Sequence, residues 1–302
     1  MIIISIYMKL SLLKLLFFLP TVNSLIKGIN WFGFETEYKN LMCTWTNDIE
    51  WNINKIKELD FNYIRLPFSL EFVIDGDWKE MDNFFNIANK YNIDIVLDFH
   101  RLHSTHQSFR PYDNHFTFDD FLDAWRIILD RYKSYPNLKG VDIFNEYQGN
   151  NVVEWNNLSR QIVSFIEKQF PERFEFYVGG VRWGGNLYGV KLDDLEYNDR
   201  ITYTIHKYWF SDGINEEAWA ATFDKENHKL ISVGEWGYKT DGSEFEKIFA
   251  IEFVDWLKEN NIRDTFFWTW TYNSGDTGGI LKEDCTTIDY EKIRLLHDLW
   301  YN

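Results

Sequence analysis

Strand and helix patterns alternate along this chain without interruption, and that constrains its fold more than any single motif. Strand-like runs are expected over residues 28–33, 63–67, 93–99, 140–145, 174–179, 201–206, 230–234 and 265–269. Several are largely apolar, as in Ile-Asp-Ile-Val-Leu-Asp-Phe at 93–99, which suits strands covered on both faces of a parallel sheet. Amphipathic helical patterns fall at 49–59, 79–91, 119–133, 153–169, 216–224 and 244–259, and 290–299 closes the chain. The link from the fifth strand to the sixth is the least regular. Alternation at this spacing implies parallel strands with right-handed crossovers. A doubly wound sheet would alternate too, but neither G-x-G-x-x-G nor G-x-x-x-x-G-K-[ST] occurs. The expectation is an α/β fold, a single-domain (β/α)8 TIM barrel, and the chain of 302 residues has the length for one.

Nothing divides the chain. Its five prolines are scattered, and there is no repeat, low-complexity tract or Gly/Ser linker. At the N-terminus, Lys9 precedes an apolar run over 10–19, Pro20 breaks it, and Val22-Asn23-Ser24 offers small residues for cleavage. Residues 1–24 are therefore expected to be a signal peptide and 25–302 the folded domain, with secretion to follow. The alternative is an uncleaved anchor, although the run is short for a membrane span and Lys14 interrupts it. A net charge of −16 argues against a nucleic-acid partner, because such a surface repels phosphate. No stable membrane insertion is expected after cleavage, and a monomer is expected. Aromatic residues make up 19% of the chain, including 14 tryptophans, more than a core requires and consistent with rings that stack on sugars.

The polar residues cluster at the ends of the strand runs. Arg65 lies in the second, His100 follows the third, and Asn145 and Glu146 follow the fourth. His206 and Tyr208 end the sixth, Glu235 follows the seventh, and Trp268 and Trp270 mark the eighth. In a barrel all of these meet at the C-terminal rim, where active sites sit. Two facing carboxylates are the minimal equipment for glycosidic cleavage, one protonating the leaving oxygen and the other attacking carbon or activating water. Arg65 favours the charged form of a neighbouring glutamate, and that charge favours the protonated form of a second acid. His100, His103 and His106 form H-x-x-H-x-x-H, which is not a zinc-hydrolase spacing, so neither metal nor cofactor is expected. His103 and His106 read as loop residues facing water or a sugar hydroxyl. Gly278 and Gly279 read as a tight turn.

Cys43 follows the first strand run and Cys285 the eighth. Those strands are neighbours in a closed barrel, so a disulfide across the seam is expected, with two free thiols as the alternative. It would close 285 − 43 = 242 residues, for which chain entropy sets a ceiling of about 5 kcal/mol.

The chain resembles glycoside hydrolase family 5, the cellulase family, and within it bacterial secreted endo-β-1,4-glucanases. The matching strings run in order from about residue 28 to 289. They are Gly28-Ile-Asn-Trp-Phe-Gly-Phe-Glu-Thr, Ile64-Arg-Leu-Pro-Phe-Ser, Leu97-Asp-Phe-His, Phe144-Asn-Glu, Trp183-Gly-Gly-Asn-Leu, His206-Lys-Tyr, Gly234-Glu-Trp-Gly and Phe267-Trp onward to Leu281. The resemblance implies retaining cleavage of a β-1,4-glucan with Glu146 as acid/base and Glu235 as nucleophile. It implies that Arg65 and Tyr208 flank the nucleophile, Asn145 bonds the sugar 2-hydroxyl, His100 and His206 line the subsite, and Trp268 is the sugar platform. Trp31 and Trp183 are further substrate-binding candidates. A retaining enzyme holds its two carboxyl groups about 5 Å apart. A β-mannanase or xyloglucan hydrolase is the alternative within the same chemistry, and a glycan-binding barrel without turnover the alternative outside it. Tyr147 stands where the family usually has proline, so it is expected either to loosen the loop or to add a ring to the cleft.

Overall fold

The computed structural model describes residues 25–302. The expected signal peptide lies outside the described residues. Eight parallel strands close a barrel in chain order. They are β1 (Lys27–Asn30), β2 (Tyr63–Ser69), β3 (Asp94–Arg101), β4 (Leu138–Asp142), β5 (Glu175–Gly179), β6 (Ile201–Lys207), β7 (Ile231–Trp236) and β8 (Thr265–Phe267). The seam closes by pairing β1 with β8, Gly28 opposite Phe266. Around them, among the described residues, run α1 (Ile49–Glu58), α2 (Leu70–Asp75), α3 (Trp78–Lys90), α4 (Phe118–Tyr132), α5 (Val152–Gln169), α6 (Trp209–Asp212), α7 (Glu216–Phe223), α8 (Glu244–Glu259) and α9 (Tyr290–Tyr301). The short α2 and α6 carry too few residues to show helical periodicity. Between β5 and β6 the chain has no α-helix, only two isolated bridges and one 3-10 turn at Asn198–Arg200, which accounts for the irregular pattern there.

The helices follow their sequence signals. In α4, Phe121, Ala124, Trp125, Ile128, Leu129 and Tyr132 are buried, a stripe at helical spacing turned to the sheet. Burial of each large apolar side chain contributes about 1.5–3 kcal/mol. Thr117 and Asp120 form a capping box at its start, as Ser243 and Glu246 do for α8.

Inside the strands, the bottom of the barrel is filled by Val96, Tyr177 and Phe266, with Tyr63 against them. Glycine makes this packing possible. A Cβ at Gly28 would stand 2.3 Å from the Phe266 ring, and one at Gly140 would stand 2.7 Å from Tyr177. Above this aromatic plug the inward positions turn polar, and the site begins there.

Cys43 and Cys285 are joined as expected, with Cα atoms 5.5 Å apart. The Asn47 amide donates to the Cys285 carbonyl at 3.0 Å, a second tie across the same seam. Among the described residues no helix is long and apolar enough to cross a membrane.

Candidate active site

Arg65 on β2 is the hub of the rim. Its side chain is buried and donates to Glu235 at 2.8 Å, Asn145 Oδ1 at 2.8 Å, Asn30 Oδ1 at 3.0 Å and Asp142 at 3.0 Å. It also pairs with Asp98 at 3.1 Å. Burial opposes charge on the guanidinium, but Asp98, Asp142 and Glu235 outweigh it and raise its pKa. Burial pushes the Asp98 carboxyl up to about 7 and Asp142 up to about 6, each opposed by Arg65. The arginine is therefore clamped from several strands at once, and it cannot swing without leaving buried carboxylates unpaired.

Glu235 sits in β7 itself, whereas the sequence pattern ended that strand at Gly234. A bulge explains its orientation. The pairing of β6 with β7 jumps from Ile205↔Val233 to His206↔Glu235, leaving Gly234 as the extra residue. Without that step Glu235 would share the outward phase of Val233. Gly234 has no room for a side chain, because its Cβ would meet Thr204 Oγ1 at 2.6 Å and His206 Nε2 at 3.0 Å. The Glu235 carboxylate accepts from Arg65 on one oxygen and from the Tyr208 hydroxyl, at 2.8 Å, on the other.

Glu146 has different surroundings. β4 ends at Asp142, earlier than the expected 145, so Asn145 and Glu146 leave on the following loop. Asn145 N still donates to the Phe99 carbonyl at 3.0 Å, which keeps that loop on the sheet. Glu146 Oε1 lies 2.9 Å from His206 Nδ1, and no arginine touches it among the described bonds. Burial pushes its carboxyl up to about 8; Arg65 opposes this, and Asp276 and Asp142 add to it. Burial holds His206 below its usual range and His100 down at about 3, so both rings are neutral at pH 7. Facing oxygens of Glu146 and Glu235, together with the His206 nitrogen, all lie within 4.8 Å of one another.

Residues 22–274 match the cellulase family, glycosyl hydrolase family 5. The chain belongs to glycosyl hydrolase family 5. An endoglucanase from Paenibacillus polymyxa is 28% identical over 323 residues, spanning 89% of this chain and 81% of the relative. The catalytic domain of the major endoglucanase from Xanthomonas campestris pv. campestris superposes with a TM-score of 0.82 at 26% identity, covering 92% of this chain and 95% of that one. An endocellulase from Pyrococcus horikoshii, solved with cellotetraose, gives a TM-score of 0.82 at 28% identity over 91% of this chain and 92% of that one. The protein is a glycoside hydrolase, and the retaining mechanism is general to its family.

Several candidate residues converge in this family 5 barrel. His100 Nδ1 contacts Asp98 at 2.7 Å, and its Nε2 stands 3.3 Å from the Asn145 amide. The Trp268 ring, partly open to solvent, runs parallel to Phe32 and to His100, with centroids 5.6 Å away in each case. Its indole N–H donates to Ser274 at 3.1 Å. Trp183 is 50% exposed on the β5–β6 loop, where its backbone N–H donates to the Tyr147 carbonyl at 3.0 Å.

Other expectations need correction. Trp31 is 0% exposed, packs edge-on against Phe84 of α3 and donates its indole N–H to the Met42 carbonyl. Asn30 uses the inward position, so Trp31, one residue on, faces the helices and lies away from the cleft. Trp270 is likewise buried, donating to Asn52 on α1. Tyr147 neither loosens its loop nor enters the cleft. Its ring is buried against Trp155 at 5.0 Å, and its hydroxyl donates to Glu154 at 2.9 Å, pinning the loop to α5. His103 is also buried, held between two carboxylates rather than facing water. The glycine turn is as expected: Gly278 has φ +59°, and a Cβ at Gly279 would strike the Thr271 backbone at 2.3 Å.

Sequence reasoning passed over Asp98, Asp142, Asn30 and Phe32. The signal for Asp98 was available, since period-two alternation places it on the same face as His100. Glu35 was also overlooked. It is buried, accepts from Gly33 N–H at 2.8 Å, and burial raises its pKa.

Proposed function

We propose that this protein is a retaining endo-β-1,4-glucanase in which Glu146 is the acid/base and Glu235 the nucleophile. The observation that carries this reading is the closeness of two carboxyl groups in contrasting surroundings. Their oxygens lie within 4.8 Å, near the spacing of retaining enzymes and well short of the roughly 6.5–9.5 Å that leaves room for water in inverting ones. Glu235 accepts from a guanidinium and a phenol, which aim a carboxylate. Glu146, pushed up to about 8 by burial, carries a proton at neutral pH.

In the first step Glu235 attacks the anomeric carbon as the bond to the leaving oxygen breaks, and the Glu146 proton passes to that oxygen. In the second, Glu146 takes a proton from water, the water oxygen bonds to the anomeric carbon, and the ester to Glu235 breaks. Neutral His206 spans both carboxyl groups. The Asn145 amide is offered to the sugar 2-hydroxyl, and Trp268 is the platform beneath the ring. Trp183 extends the cleft. The endoglucanase names of the relatives favour glucan over mannan, and a lectin would have no use for a carboxyl pair so differently surrounded. We also read residues 1–24 as a leader directing a monomer to the outside, a reading supported by the Cys43–Cys285 bridge, since such bonds persist in oxidising compartments.

The test is a product profile on carboxymethyl cellulose, mannan and xyloglucan, with the anomeric form of fresh product followed by NMR. A rapid viscosity loss on carboxymethyl cellulose with β-configured reducing ends is expected. Initial α-products would overturn double displacement, and faster mannan cleavage would overturn the substrate assignment.

A further inference from the structure

The loop between β3 and α4, residues 102–117, holds a group of side chains that the glycosidic chemistry does not use. His103 Nε2 lies 2.6 Å from Asp113 Oδ2, ten residues further along. One ligand atom from each of His103, Asp113 and His115 lies within 4.8 Å of the other two. The His115 ring stands edge-on to that of His103, with centroids 5.5 Å apart. Two imidazoles and a carboxylate thus converge on one point at the surface of an otherwise buried histidine.

What surrounds these three residues is built for ligation. The other His103 nitrogen, Nδ1, lies 3.1 Å from Glu71 on α2. Glu71 is fixed in turn by the Ser104 hydroxyl at 2.6 Å and the Ser104 backbone N–H at 2.8 Å. A carboxylate that orients a histidine through its far nitrogen is the usual support of a metal-binding imidazole. Asp113 is prepared in the same way. Its Oδ1 accepts from the backbone N–H groups of His115 at 2.7 Å and Phe116 at 2.9 Å, leaving Oδ2 turned to His103.

We propose that His103, Asp113 and His115 form a binding site for zinc or a similar borderline divalent ion, with Glu71 as the positioning residue. Three protein ligands of nitrogen and oxygen, completed by water, fit the coordination habits of that ion. Entry requires His103 and Asp113 to part slightly, and the proton between them leaves to solvent as the ion takes its place. The ion ties the loop to α2. The same loop carries Gln107, whose amide nitrogen stands 3.4 Å from His100 Nε2, so its order bears on the cleft as well. The sequence expectation of no metal rested on the spacing of His100, His103 and His106. That run does not converge: His100 faces Asp98, and the His106 ring lies flat on His103 with centroids 4.5 Å apart. The fold supplies the missing ligands from Asp113 and His115 instead.

The experiment takes chelator-stripped protein, adds zinc chloride, and reads melting temperature alongside zinc affinity from competition with a chromophoric chelator. One ion per chain should bind at this site, and a hundredfold excess over the dissociation constant should raise the melting temperature by about 5 °C or more. His115→Ala and Asp113→Asn, both at exposed positions, should each weaken binding at least about tenfold, and Glu71→Gln about tenfold to a hundredfold. His106→Ala and Glu235→Gln should keep the wild-type zinc response. X-ray absorption at the zinc edge should show two imidazoles and a carboxylate. No thermal shift in the wild type would overturn the site. So would a response that survives His115→Ala, or one that disappears in Glu235→Gln and therefore belongs to the cleft carboxylates.

Discussion

The ends of β4 and β7 bring the same side chain to one cleft by different routes. Glu146 stands four residues beyond Asp142, the last ladder residue of β4, on a loop held by the Asn145 backbone and by Tyr147. Glu235 lies inside β7 and turns inward because of a bulge at Gly234. One carboxyl is buried beside a neutral histidine, and the other is gripped by Arg65 and Tyr208. Two chemically identical groups are thereby given different partners, and burial pushes the Glu146 carboxyl up to about 8. A strand end says where a carboxylate is, and its partners say what it can do.

The hardest test of that contrast exchanges each glutamate for glutamine. Glu235→Gln should lower hydrolysis of unactivated substrate on the order of 10⁵-fold or more, as removal of a nucleophile does elsewhere. Glu146→Gln should cost about 10²–10⁴-fold, the range for a lost acid/base. Intact-mass spectrometry with a glycosyl fluoride, whose leaving group needs no proton, should trap a glycosyl-enzyme in the Glu146 variant only. Trapping in the Glu235 variant instead would reverse the roles.

A smaller effect is expected where the sugar would lie against both carboxyl groups. Trp268→Ala should lower kcat/KM by about 1–3 kcal/mol, roughly five- to 150-fold, through lost ring contact. An unchanged kcat/KM would move the platform to Trp183, which is 50% exposed on the β5–β6 loop.

The smallest effect tests the electrostatics directly. In the proposed mechanism activity requires protonated Glu146, so it is present below a pKa of about 8 and declines as pH rises through that value. The alkaline limb of kcat/KM should therefore fall near pH 8. Asp276 raises that pKa through space, so Asp276→Asn should move the limb downward, by less than about one unit for an exposed charge. An upward or absent shift would show that burial and other neighbours alone set the proton affinity of Glu146.

Much of this was legible in the chain. Helical and strand periodicity located the eight strands and the long helices, because burial of one helix face or both sheet faces leaves a local imprint. Chain order then made β1 and β8 neighbours, which favoured a Cys43–Cys285 bridge over two free thiols. Glu146, Glu235, Arg65, His206 and Tyr208 all follow from the rule that strand ends share a rim.

What the chain alone left undecided is where a side chain points and what meets it. Trp31 looked like a substrate-binding ring until the phase of β1 turned it outward. Tyr147 could have faced the cleft until Trp155 offered its ring a buried partner. The inward turn of Glu235 depends on one inserted residue in a ladder. The clamp on Arg65 draws on strands β1, β3, β4 and β7, and the His103 cluster joins α2 to a loop ten residues beyond the histidine. Periodicity reports which elements form, because it is set by residues a few positions apart. Orientation and proton affinity are set by atoms a few ångströms apart, and chain separations such as the 170 residues from Arg65 to Glu235 are closed only when the barrel is.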